Sequence, residues 1–139
     1  MDRLRQNGSV LLSLVAVVDG RVAGHILYTP VSVGDRQVHA AGLAPMAVHP
    51  EFQKAGIGSM LVAEGTNRLR AAGCPLIVVL GHPGYYPRFG FVPASRCRLQ
   101  CEWDVPDDVF MALPLDVSRV RNMTGIVRYS SEFSTATAG

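Results

Sequence analysis

Residues 49–61, HPEFQKAGIGSML, set Gln53, Lys54, Gly56 and Gly58 between two apolar runs. The run before them, GLAPMAV, reads as a strand, and small and apolar residues recur at helical spacing after them. A helix begins with unpaired N–H groups and the positive end of its dipole. Glycines let the backbone approach an anion with no side chain in the way. The joint therefore has the makings of a phosphate cradle, with Lys54 adding a point charge. The plainer alternative is a flexible helix start with no ligand. It is not a Walker loop, because no Gly-Lys-Ser/Thr closes it. Nor is it the GxGxxG dinucleotide fingerprint, since it follows a meander and lacks the third glycine.

Two other groupings could do chemistry. Cys97 and Cys101 form a C-x-x-x-C pair. No second ligand pair accompanies them, and on a strand this spacing simply puts both thiols on one face, so no metal is expected. Trp103 and Phe110 flank an acidic turn, Asp104 to Asp108, which could rim a binding site, although core packing is the commoner fate of such aromatics.

The elements that must position these residues are legible. Val10 to Val18 and Arg21 to Val33 are strand-like and separated by Asp19-Gly20, a strong hairpin signal. Gly34-Asp35 marks a second turn, and Gln37 to Val48 completes an antiparallel meander. Gly56 to Ala72 reads as one long helix, with Ile57, Leu61, Gly65 and Leu69 in an i, i+4 stripe and Glu64–Arg68 as an exposed ion pair. Gly73 and Pro75 end it. Leu76 to Leu80 is continuously apolar, as in a strand covered on both faces. Gly81 to Phe89 reads as a turn with room for one helical turn. Phe91 to Leu99, Val109 to Leu115 and Ile126 to Tyr129 read as further strands. No repeat or linker divides the chain, so residues 1–129 are expected to form one domain and 130–139 a frayed tail.

Composition narrows the class. The 139 residues suffice for a sizeable core, and no apolar run reaches the length of a membrane span. No signal peptide is visible at the start. A net charge of +2, with scattered basic residues, argues against nucleic acid. Three cysteines at irregular spacing point to free thiols in a reducing cytoplasm.

The order of elements, with Gln53-x-x-Gly56-x-Gly58 after Met46-Ala47-Val48 and then a helix, a strand and Tyr86-x-x-x-Gly90-Phe91, resembles the GNAT superfamily of N-acetyltransferases. Within it, Gly81 to Phe91 (GHPGYYPRFGF) is similar to a bacterial branch. The resemblance spans roughly residues 9–129. It implies an α+β fold: a mostly antiparallel twisted sheet, splayed between two strands, with one long helix after the phosphate loop. It also implies acetyl-CoA as cofactor, its diphosphate held by Gln53, Lys54, Ala55, Gly56, Ile57 and Gly58, with Ser59 just inside the helix. The pantetheine arm would pair with a bulged strand at Met46, Ala47 and Val48, and Pro45 suits a bulge because it cannot donate to a ladder. Tyr86 would protonate the leaving sulfur, Tyr85 being the neighbour expected to pack. No carboxylate lies in Leu43 to Val48 to act as base. His82, Glu51 and water remain candidates, and His82 reads equally well as a cap on its own turn. The remaining histidines, His25, His39 and His49, read as structural or surface residues.

Relative to that family the chain reads as N-terminally short, lacking the first strand and two helices. An apolar face those helices would cover is then expected to find a partner, a second copy being the simplest. Two functions follow. One is acetyl transfer to a primary amine on a small molecule or protein. The other is an acyl-CoA-binding module without efficient transfer.

Overall fold

The computed structural model describes residues 11–34, 38–53 and 56–129, without the side chains at 38, 39, 44 and 45. In chain order its elements are β1 (Leu12–Val18), β2 (Arg21–Val33), β3 (Val38–Val48), α1 (Ile57–Ala71), β4 (Leu76–Leu80), β5 (Val92–Pro93), β6 (Leu99–Cys101), β7 (Phe110–Pro114), α2 (Val117–Val120) and β8 (Gly125–Tyr129). Short 3₁₀ turns occupy Pro50–Phe52, Tyr86–Phe89, Ala94–Cys97 and Asp107–Val109. The expected tail, 130–139, lies outside the described residues.

The meander forms as its turn chemistry dictates. β1 and β2 pair antiparallel across Asp19 and Gly20, whose φ values of 51° and 78° match a turn that needs both residues left-handed. β3 then pairs antiparallel with β2. The sheet runs β5-β7-β4-β3-β2-β8-β6, with β1 on β2 beside β8. Its pairings are antiparallel except β3 with β4 and β6 with β8. This is the mixed α+β architecture expected.

Period-2 alternation divides the interior. In β4, Ile77 and Val79 face α1, whereas Leu76 and Val78 face β6 and β8. In β7, Met111 and Leu113 share the α1 side, and Phe110 and Ala112 the other. The helix buries Ile57, Leu61, Val62 and Leu69 against the sheet. Its Gly65 admits the Tyr28 ring so closely that a Cβ there would overlap it. The Glu64–Arg68 ion pair forms at 2.7 Å on the exposed side.

Two expectations change. Phe91 to Leu99 is not one strand. After Val92–Pro93 the chain coils into a 3₁₀ turn, and Arg98 at φ 62° redirects it into β6. Proline supplies no ladder donor, which limits how far such a strand continues. The helix α2, absent from the sequence reading, starts where Asp116 caps it.

The feature that positions a site is a gap in the sheet. β3 and β4 pair only over Ala41–Leu43 and Ile77–Val79. Beyond Leu43, β3 continues to Val48 with β2 as its strand partner. The β2 register slips between Ile26 and Tyr28, which face Met46 and Leu43, so β3 carries one extra residue at Ala44–Pro45. Such a bulge bends its strand and raises local twist, which turns the end of β3 away from β4.

Candidate functional site

The chain leaves β3 through a turn that His49 caps, its Nδ1 accepting from Glu51 N–H at 3.1 Å. It enters α1 through Gly56 at φ +81°, with no side-chain cap. The first helical bond is Met60 N–H to Gly56 O at 3.0 Å. Among the described residues, the N–H groups of Ile57, Gly58 and Ser59 therefore meet no acceptor. These orphan donors carry the positive end of a 15-residue helix.

They open on a cleft of about 580 Å³ at the mouth of the sheet gap. Gly56, Ile57, Gly58 and Ser59 form one end. Met46, Val48, Phe52 and Gln53 supply a second wall, and Tyr85 and Arg88 close the third. Gly58 is needed sterically, since a Cβ added there would lie 2.7 Å from Tyr85 Oη.

The main chain of β3 also points into the gap. His49 N–H donates to Ala23 O at 2.7 Å. In an antiparallel ladder, bonded and non-bonded pairs alternate. Ala47 thus bonds toward β2, while Met46 and Val48 direct their N–H and C=O groups away from it. Val48 O accepts from the Gln53 side-chain amide at 3.2 Å, which agrees with that orientation.

The sequence-derived residues divide accordingly. The structure gathers Met46, Val48, Gln53, Gly56, Ile57, Gly58 and Ser59 around one cleft. Lys54 and Ala55 lie outside the described residues. Three positions have settings of their own. Ala47 does not line the cleft; strand alternation turns its side chain to the opposite, exposed face. Gln53 lines the cleft, with its backbone N–H drawn back to Pro50 O at 3.4 Å. His82 stands outside the cleft wall, exposed, with Nδ1 accepting from Gly84 N–H at 3.0 Å. It caps its own turn. Glu51 is also engaged elsewhere, paired with Arg21 at 2.6 Å.

The adjacent tyrosines reverse the expected exposure. Tyr85 lines the cleft, with the Arg88 guanidinium 4.6 Å above its ring. Tyr86 is the more buried, at 8 % exposure, packed edge-on against Phe91 and against Gly81, which directly follows β4. Burial pushes the Tyr86 hydroxyl above the usual phenol range, and neighbouring Tyr85 adds to the shift. Phe52, Tyr85 and Arg88 are cleft residues that the sequence reading did not assign. Arg88 follows Tyr85 by three residues, a spacing that brings them together only because 86–89 forms a 3₁₀ turn.

The cysteines and the acidic turn fall elsewhere. Cys97 is in a 3₁₀ turn and Cys101 on β6, so they do not share a strand face. Trp103 stacks on Tyr129 at 5.3 Å, and Phe110 is buried in the core on that side of the sheet. No helix among the described residues is long and apolar enough to cross a membrane.

Comparison with known proteins agrees with this geometry. The sequence profile of the acetyltransferase (GNAT) family matches residues 2–91. The uncharacterized N-acetyltransferase YhbS of Escherichia coli K12 is 35 % identical over 132 residues, covering 94 % of this chain and 79 % of the relative. The uncharacterized N-acetyltransferase YjhQ of the same organism is 43 % identical over 88 residues, 60 % of this chain and 48 % of its own length. The crystal structure of E. coli YhbS in complex with CoA superposes with a TM-score of 0.87 at 35 % identity, over 94 % of this chain and 73 % of that one. A Brucella melitensis GNAT acetyltransferase in complex with acetyl-CoA gives 0.73 at 37 %, with the same coverage of both chains. The chain belongs to the GNAT family of acetyltransferases.

Proposed function

We propose that the chain transfers an acetyl group from acetyl-CoA to a primary amine by direct attack on the thioester. The observation that carries this is the convergence of unpartnered α1 amides and outward-facing β3 main-chain groups on a single cleft. The residues fit the cofactor. Orphan N–H groups suit a diphosphate, Gly58 presents bare backbone at the helix start, and Met46, Val48 and Phe52 supply an apolar wall for the arm. When bound, acetyl-CoA supplies an activated thioester.

The chain's own groups then have distinct tasks. Ile57, Gly58 and Ser59 hold the phosphates, with Lys54 and Ala55 completing the loop. Met46 and Val48 align the arm along β3. From Met46 to the bulge at Ala44–Pro45 and on to Leu43 is about 10 Å at strand rise, which sets the reacting end deep in the gap beside Gly81. An outward main-chain N–H of β3 is placed to stabilise charge on the thioester oxygen. Tyr86, packed on Gly81, donates the proton to the departing sulfur. Tyr85 stands beside Gly58, at the phosphate end of the cleft.

The cleft wall carries neither carboxylate nor histidine among the described residues. The acceptor therefore arrives as the neutral amine or loses its proton to water held by backbone carbonyls. Three free thiols suit a cytoplasmic protein. Val15, Val17 and Val22, each 59–60 % exposed on the β1–β2 face away from α1, suit cover by a second copy.

Free-thiol release from acetyl-CoA across a panel of amines tests the reaction. Tyr86→Phe should lower kcat about a hundredfold with CoA affinity held, and an unchanged rate removes Tyr86 from the mechanism. CoA binding without thiol release on any amine supports the alternative, an acyl-CoA-binding module. Light scattering at the mass of one chain counts against the second copy.

A further inference from the structure

The cleft holds one charged side chain among its described lining residues, Arg88. Other arginines of this chain are committed: Arg21 to Glu51, Arg68 to Glu64 and Arg119 to Gly73 O. Arg88 meets no carboxylate among the described residues. Its contact is with the Tyr85 ring, 4.6 Å below the guanidinium carbon. Tyr85 is itself braced edge-on by Tyr86 and Phe89, at 5.1 and 5.2 Å between centroids. A guanidinium laid on an aromatic face is held in place through that face, while its edge N–H groups stay free to pair with two oxygens of a phosphate or carboxylate. Lysine could not be held this way, since its ammonium is a point charge on a flexible stem.

The position matters as much as the charge. Tyr85 Oη reaches to 2.7 Å of where a Gly58 Cβ would stand. The Tyr85 hydroxyl therefore abuts the uncapped start of α1, and Arg88, stacked on the same ring, lines the same cleft. Resting on the cofactor reading above, we propose that Arg88 is the second half of the diphosphate site, reaching the phosphates from its seat on the Tyr85 ring beside the α1 amides. Tyr85 is the positioning residue that fixes the guanidinium there. The helix start supplies fixed dipoles, and Arg88 supplies the full positive charge and the bidentate geometry.

Calorimetry with CoA on the whole chain decides this. Arg88→Met keeps a long stem over the Tyr85 ring and removes the charge. CoA affinity should fall about tenfold, the order expected for losing one charge-assisted pair at an exposed cleft. Raising the salt should weaken the parent more than Arg88→Met, so the two converge, because only a charge contact is screened. Arg88→Lys should fall between them, having charge but no planar stack. Tyr85→Ala should reproduce most of the Arg88→Met loss, and Tyr85→Phe, which keeps the ring, should recover it. Affinities within twofold of the parent for Arg88→Met, or a loss that salt leaves unchanged, overturn the assignment while leaving the cofactor reading intact. Failure of the parent chain to bind CoA refutes the cofactor reading, and this inference with it.

Discussion

The helices α1 and α2 begin in opposite ways. α2 has four residues and starts at Asp116, whose carboxylate accepts from Arg119 N–H at 3.3 Å and from the Ser118 hydroxyl at 2.9 Å. These bonds hold the Asp116 carboxyl below the usual carboxylate range. α1 has 15 residues and starts at Gly56, with no side-chain cap and three amides facing a cleft. A short helix with little packing depends on its cap. A long one with a buried stripe does not, and packing of Ile57, Leu61, Val62 and Leu69 leaves the N-terminus of α1 available for a ligand. Open amides on a packed helix leave donors that a ligand could use, and closed ones on a marginal helix serve local stability.

The contrast breaks most sharply at Gly56. Gly56→Glu should weaken CoA binding more than a hundredfold, by setting negative charge against the diphosphate. Its φ of +81° adds a conformational cost of about 1 kcal/mol, so circular dichroism should show a folded chain with a lower Tm. Undiminished CoA affinity in that folded variant would remove the α1 start from the site.

A smaller effect separates packing from capping. Tyr28, fully buried against Gly65 of α1, has its hydroxyl pKa raised well above the phenol range by burial, then by Tyr86. Tyr129, on the other side of the sheet, is raised for the same first reason. Groups with raised folded pKa bind protons that the unfolded chain has lost. Their stability is complete below about pH 10 and declines as pH rises past it, by at most about 1.4 kcal/mol per pH unit for each tyrosine. Urea unfolding should show a plateau to about pH 10 and a fall beyond. A Tyr28→Phe variant should soften the fall, and an identical pH profile would sink this account.

The least effect belongs to α2. Asp116→Ala should lower Tm slightly at neutral pH and leave CoA affinity at the parent value. Because the folded pKa of Asp116 is depressed, its contribution is present above the ordinary carboxylate pKa and lost as pH falls through the folded value. The Tm difference should vanish at acid pH, and a difference that persists there would assign the effect to something other than the cap.

Much of the fold was legible because local chemistry and tertiary need agree in it. Asp19-Gly20 can make only a few turns, the apolar run Leu76–Leu80 suits only a strand covered on both faces, and the Ile57–Leu69 stripe closes only on a helix. The C-terminal half was less legible. Phe91–Leu99 has strand composition, yet the bend at Arg98 arises from the pairing of β6 with β8, a contact far away in sequence. Within the candidate site, the uncapped helix start was readable from glycine spacing, since Gly56 and Gly58 at a strand–helix joint leave the backbone bare. Side-chain assignments were less so. Spacing to Gly90-Phe91 selected Tyr86, and nothing in the residue order says that Tyr85 lines the cleft while Tyr86 packs under it.

By itself, then, the order of residues determined the hairpin, the bulge-tolerant strand, the open helix start and the family they indicate, because each depends on backbone conformations set within a few neighbours. The tertiary structure alone decided where side chains face. It turned Ala47 out of the cleft, gave His82 to its own turn and laid Arg88 across Tyr85. Those outcomes depend on how β3 parts from β4 and on a 3₁₀ turn packed beneath the gap, which bring together groups that no local pattern connects.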